Sequence, residues 1–122
     1  WTWVLVNLGA KVISVDRSEL RSDLMENKNI QFYKKDAFQL LPNKVDFVPD
    51  WIFSDLICYP EKLLEFIGTW LQTGHKINFI CTIKFQGVTD YQITKKFLEI
   101  PGSSVHHLWA NKHEVTWMLI QK

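Results

Sequence analysis

Short β-branched runs alternate with amphipathic stretches along this chain, and three of the runs close on an aspartate. KVISVD (11–16), IQFYKKD (30–36) and DWIFSD (50–55) end on Asp16, Asp36 and Asp55. KINFICTIKF (76–85) is nearly continuous in apolar residues, as a strand buried on both faces should be, and carries Lys84 at its end. The stretches between them have helical spacing. Trp1, Val4, Leu5 and Leu8 fall at i, i+3, i+4 and i+7, with Gly9 placed to close that helix. Ser18 can cap SELRSDLMEN, which carries Leu20, Leu24 and Met25 on one side. A short turn, AFQLLPNK, follows the second strand. Pro60 suits the first position of a helix whose stripe is Leu63, Leu64, Ile67, Trp70 and Leu71, ended by Gly74. Thr89 or Asp90 can cap a helix running to Glu99, stopped by Pro101 and Gly102. SSVHHLWA (103–110) and EVTWMLIQ (114–121) read as an antiparallel closing pair joined by a short link. This alternation predicts an α/β fold of Rossmann-like type. Its sheet is mostly parallel with an antiparallel C-terminal strand, and helices lie on both faces. A strand is expected before the first helix. Without it the sheet lacks its central member and exposes two unpaired edges, which favours self-association.

Composition narrows the function classes only a little. With 122 residues the chain is one domain at most. Six Trp and eight Phe help so small a chain bury area. A formal charge of +1 neither demands nor excludes a polyanion. Cys58 and Cys81 lie in apolar surroundings and read as reduced, buried thiols of a cytoplasmic protein. No run approaches the roughly 20 apolar residues of a membrane span. His106, His107 and His113 match no zinc-ligand spacing with the two cysteines, so no metal is expected. A GxSxG elbow is missing, which argues against a serine hydrolase.

The chemistry gathers at strand ends. In open α/β sheets, ligands bind outside the carboxyl ends of the strands. Counting the strand expected before the first helix, Asp16 closes the second strand, where an acid accepts hydrogen bonds from ribose hydroxyls. Asp36 closes the third, where it can take an adenine amino group, and Asp55 closes the fourth, facing whatever lies beyond the nucleoside. Each such Asp alone is more often a cap or turn residue, but Asp16, Asp36 and Asp55 in one sheet register point to a nucleoside-type ligand. Lys84 either snorkels to solvent or sits in the site. In the site, burial would favour a neutral amine able to act as a base, while Asp55 would favour the ammonium. Glu114 is either a solvated strand terminus or a carboxylate that orients Lys84 or a substrate hydroxyl. The pairs Lys34–Lys35 and Lys95–Lys96 could touch phosphates but read first as solvated faces.

The run WTWVLVNLGAKVISVD, then KKDAF, DWIFSDL with a following Pro, IKF and HEVTWML resembles the ribosomal RNA large-subunit methyltransferase M family. That family is an FtsJ-like group of S-adenosylmethionine-dependent 2′-O-ribose methyltransferases. The likeness runs through nearly the whole chain, and its more specific parts are W-T-W and the spacing from Lys84 to HEVT. It implies that residues 1–122 form a single, N-terminally incomplete methyltransferase domain. A Pro-Gly-Gly turn precedes W-T-W in the family, so Trp1 would follow the glycine-rich loop and contribute to the cofactor site. It further implies S-adenosylmethionine as cofactor, with Asp16, Asp36 and Asp55 as its binding acids. Lys84 would be the proton acceptor, with Asp55 and Glu114 as its companions in a Lys-Asp-Lys-Glu set whose first Lys would lie upstream. Large-subunit ribosomal RNA would be the substrate, because a 2′-hydroxyl exists in RNA and not in DNA.

Two other readings compete. A methyltransferase-like binding module without turnover would lack the upstream loop and Lys. A nicotinamide-dependent oxidoreductase would need G-x-G-x-x-G before the first helix, and it leaves Lys84 and the HEVT strand unexplained.

Overall fold

The computed structural model describes residues 1–121, which form two compact units, one of Trp1–Lys44 and one from Val45 onward. The first unit opens with helix α1 (Thr2–Asn7). Gly9 takes φ +88°, and the amides of Gly9 and Ala10 donate back to the carbonyls of Val6 and Leu5. These two bonds satisfy helix-end carbonyls, and only glycine enters that backbone region cheaply. Strand β1 (Val12–Asp16) follows and pairs in parallel with β2 (Ile30–Lys34), in a register that sets Val12 beside Ile30 and Asp16 beside Lys34. Thr2 and Ser14 share a hydroxyl–hydroxyl bond of 2.9 Å that ties α1 to β1.

The crossover between β1 and β2 departs from expectation. Helix α2 covers only Ser22–Met25 and begins after Arg21. Ser18 caps nothing, because its amide donates to Asp16 Oδ1 at 3.0 Å and holds residues 16–18 in a turn. Asp36 also differs in detail. It stands two residues beyond β2, where its Oδ1 accepts from the Phe38 amide and starts a 3₁₀ turn over Ala37–Gln39. A second 3₁₀ turn, Pro42–Lys44, completes the predicted turn segment.

The second unit is built on a four-stranded sheet. Its strands are β3 (Trp51–Ser54), β4 (Asn78–Ile83), β5 (Ser103–His106) and β6 (Val115–Leu119), in the order β3-β4-β6-β5. β3 and β4 are parallel, and β6 runs antiparallel to both β4 and β5. β5 therefore shares the direction of β4, and β6 alone is reversed in this sheet. The predicted α/β architecture, mostly parallel with an antiparallel C-terminal strand, is observed.

Helix α3 (Pro60–Leu71) starts on Pro60 and buries Leu63, Ile67 and Trp70. Helix α4 (Thr94–Leu98) is entered through a 3₁₀ turn, Tyr91–Ile93, where Asp90 rather than Thr89 is the cap and accepts the Gln92 amide. Phe97 of α4 is fully buried. Residues of both helices join one buried cluster with Phe79, Cys81 and Ile83 of β4 and Val115, Trp117 and Leu119 of β6. Phe79 and Phe97 flank the Trp117 ring, with centroids at 5.8 and 6.1 Å. The alternate β4 residues Asn78, Ile80 and Thr82 are only half-buried. β4 thus reads HPHP-like in burial rather than doubly buried, because α3 and α4 press their apolar residues on one side of it.

The last loop is longer than the short link expected after residue 110. β5 stops at His106 because the Leu108 amide bonds to Asn111 Oδ1 at 2.7 Å instead of continuing the ladder. Residues 107–114 then form an ordered loop.

Truncating the ring that joins α4 to the sheet tests this packing. Phe97→Ala is expected to destabilise the second unit by about 3–5 kcal/mol. Urea unfolding followed by tryptophan fluorescence would check it, and a loss below about 1 kcal/mol would show that the site collapses to fill the hole.

Candidate functional site

In the first unit the parallel register brings two of the predicted acids to one sheet end. Asp16 is the last residue of β1, exposed, with Oδ1 occupied by the Ser18 amide. Its other oxygen carries no bond among the described residues, so it can accept from a ligand hydroxyl. Asp36 is more enclosed, with a side chain 24% exposed. It accepts from the Phe38 amide at 3.0 Å and from the Arg17 guanidinium at 2.7 Å. Arg17 was not singled out from the sequence. Its signal is its place directly after Asp16, where the turn at 16–18 lets it cross to the neighbouring strand. An exposed ion pair of this kind adds little stability but sets the orientation of the Asp36 carboxylate. Trp1 immediately precedes α1, is largely exposed, and accepts the Leu5 amide on its carbonyl. The pair Asp16 and Asp36 offers acceptors of the kind a nucleoside needs for its hydroxyls and exocyclic amine.

Asp55 is not in that sheet. Among the described residues β1 and β2 form one hydrogen-bonded sheet and β3 to β6 another, so the three acids do not share one sheet register as expected. No described strand bonds to both β1 and β3, and the common register depended on such a strand.

In the second unit, Lys84 and Asp55 are joined. Lys84 Nζ donates to the Asp55 carbonyl at 2.9 Å and lies 3.1 Å from Asp55 Oδ1. The Lys84 side chain is 16% exposed while that of Asp55 is 57% exposed, so the amine is held inward by an acid that faces out. Lys84 does not snorkel. The β4–β6 register pairs Ile83 with Val115. Continued one step, it sets Lys84 opposite Glu114. Strand alternation then puts Asp55, Lys84 and Glu114 on the face of Phe53, Ile80 and Thr82, away from the α3–α4 core. Glu114 is half-buried and makes no hydrogen bond or ion pair among the described residues. The structure thus brings Glu114 to the right strand end but does not bond it to Lys84.

Cys58 lies between β3 and α3 and packs on the core around Cys81. Both thiols are free. Burial pushes the Cys58 thiol up, while the nearby Lys62 and Lys84 charges and the Leu63 amide pull it down. Cys81 is raised to about 12, first by burial and then by its neighbour Cys58. No group of three or more His, Cys, Asp or Glu able to hold a metal occurs among the described residues. No helix there is long and apolar enough to cross a membrane.

No family model matches the chain. Curated relatives do. Over 132 aligned positions that cover the whole chain, it is 27% identical to ribosomal RNA large subunit methyltransferase M of Thauera aminoaromatica. It is 29% identical to the protein of the same name from a Marinomonas species over 133 positions, again the whole chain. It is 28% identical to that of Pseudomonas fluorescens over 99 positions, 81% of the chain. The chain spans 35%, 37% and 27% of those three relatives respectively.

The buried thiol gives a test of the second unit's core. Folded Cys81 keeps its proton to about pH 12, while an unfolded thiol releases it near 9.0. The stabilisation is complete below pH 9 and is lost as pH rises toward 12. Alkylation at pH 8 is expected to spare Cys81 until urea unfolds the chain. Labelling of Cys81 in the native protein at the unfolded rate would contradict its burial.

Proposed function

We propose that this chain carries the methyl-transfer site of an S-adenosylmethionine-dependent RNA methyltransferase acting on a ribose 2′-hydroxyl of large-subunit ribosomal RNA. Its similarity along its length to curated ribosomal RNA large subunit methyltransferase M proteins supports the class of reaction. The observation that carries the site is the inward-held Lys84, chelated by the carbonyl and carboxylate of Asp55 at the end of β4. In this reading both units serve one methyltransferase domain.

The roles follow from the chemistry of each group. When bound, S-adenosylmethionine supplies an electrophilic methyl group on a sulfonium. Asp16 accepts hydrogen bonds from the cofactor's ribose hydroxyls, and Asp36 from its adenine amine. Trp1 lies against the cofactor. Lys84 holds the acceptor hydroxyl and takes up, or compensates in charge for the loss of, its proton. A ribose hydroxyl is a poor acid, so a positioned amine at that oxygen is the main help this chain gives beyond alignment. Asp55 fixes where that amine points. It also sets a negative charge at the strand end, which suits a cationic methyl donor. Glu114, opposite Lys84 in the extended register, orients the amine or the substrate hydroxyl once the acceptor is in place.

Two substitutions separate cofactor binding from transfer. Lys84→Ala is expected to lower methyl transfer at least a hundredfold, within the range for a lost acid–base group, and to leave cofactor affinity intact. Calorimetric titration of S-adenosylmethionine, with NAD as control, is expected to show binding that Asp16→Ala weakens roughly tenfold or more. Undiminished transfer by Lys84→Ala would remove Lys84 from the reaction. NAD binding in place of S-adenosylmethionine would overturn the methyltransferase reading.

A further inference from the structure

We propose that Trp109 is a stacking platform for an unpaired RNA base beside the Lys84 site, so that this enzyme takes its target nucleotide from a single-stranded or splayed segment. The inference rests on the methyltransferase reading and adds the form in which the substrate is held.

Trp109 has a relative exposure of 102%, so no part of its indole is covered. A scattered exposed apolar side chain needs no explanation. This one differs because its loop is built. Asn111 Oδ1 accepts from the Leu108 amide at 2.7 Å and from Thr116 Oγ1 at 3.2 Å, and the Asn111 amide donates to the Leu108 carbonyl at 2.9 Å. His107 Nε2 bonds the Lys112 carbonyl at 2.9 Å. Tyr91 donates its hydroxyl to the His113 carbonyl at 3.2 Å and is itself braced edge-on by Phe85. Five polar bonds therefore flank an indole that packs on nothing. Ordering a loop costs conformational entropy, and holding a bare ring on it is the arrangement expected of a pre-formed contact surface.

Position gives the occupant. Residues 107–114 connect the end of β5 to the start of β6, and residues 55–59 and 84–90 leave the ends of β3 and β4. By the strand directions all three segments emerge at the same end of the sheet, where Lys84 sits. Tyr59 and Val88, on two of these segments, are also exposed. The charges on the three segments nearly cancel. They hold Asp55, Asp90 and Glu114 against Lys84 and Lys112. Such a rim is a poor cradle for phosphates, which recruit clustered Arg and Lys. It suits the flat face of a nucleobase, which aromatic side chains stack on without needing charge. A ribose presented to Lys84 must bring its own base, or a neighbour's, to this end of the sheet. A duplex would keep those bases stacked away from the indole.

The test compares binding of a short single-stranded RNA of mixed sequence with binding of a copy carrying abasic residues and of a hairpin duplex of the same length. Affinities are read by anisotropy of labelled RNA in the presence of S-adenosylmethionine. Trp109→Ala is expected to weaken the single strand by about ten- to a hundredfold while leaving cofactor affinity unchanged. Trp109→Phe should retain most of the affinity, and Trp3→Ala, another exposed tryptophan, should change nothing. On abasic RNA the wild type and Trp109→Ala should bind equally, and the duplex should bind weakly to both. The proposal is overturned if Trp109→Ala binds the single strand like wild type, or if its deficit persists on abasic RNA. It is overturned equally if the wild-type chain binds no RNA, including the case where Trp109→Ala instead loses a protein partner. Failure of the underlying methyltransferase reading shows separately, as transfer retained by Lys84→Ala or no cofactor binding, whatever Trp109 does.

Discussion

The antiparallel insertion of β6 between β4 and β5 holds the second unit together. β6 is bonded on both edges, so its position is fixed by two ladders rather than one. One face of it supplies Val115, Trp117 and Leu119 to the core, and the Trp117 ring is gripped by Phe79 and Phe97. Because β6 runs opposite to its neighbours, it begins where they end. Its reversal is what brings Glu114 and the 107–114 loop to the sheet end that carries Lys84. A parallel strand in the same place would have delivered them to the other end.

The Lys84–Asp55 pair shows how backbone and side chain share one task. Asp55 follows β3 directly and binds the amine through both its carbonyl and its carboxylate. The carbonyl half of that grip is present whatever the side chain, so it belongs to the β3–β4 register. The carboxylate half adds charge. An outward acid holding an inward amine leaves the cation near apolar neighbours, among them Cys58, whose thiol feels its charge. Asp16 and Asp36 are arranged differently, as acceptors tied down by one turn amide each and, for Asp36, by Arg17.

Much of this was legible in the sequence, for reasons that lie in local chemistry. Strand positions followed from β-branched runs, helix α3 from its stripe behind Pro60, and the helix ends at Gly9 and Gly74 from the glycines themselves, which take positive φ in the structure. The reversed last strand was expected from its short link to the preceding one. What misled was competition by short polar side chains for backbone amides. Asp16 drew the Ser18 amide into a turn and shortened α2 to one turn, and Asn111 drew the Leu108 amide and ended β5 early. These contacts depend on where the chain bends, which spacing alone does not reveal. Placing Asp55 in a common register with Asp16 and Asp36 assumed a strand bonded to both sheets. Lys84 was caught between two readings, and its capture by Asp55 required knowing that the β3 and β4 ends lie side by side.

The polarity of the second sheet also separates two kinds of surface. The candidate chemistry sits at one end, while the connections from α3 to β4 and from α4 to β5 turn at the other. There Gly74 and Gly102 take φ of +76° and +82°. A Cβ built on Gly74 would meet nothing, and one on Gly102 would meet only Leu119 Cδ1, at 3.7 Å. The space around these turns is open, but their positive φ holds both positions to glycine, so loops can lengthen at that rim without disturbing what Lys84 touches only where both glycines are kept.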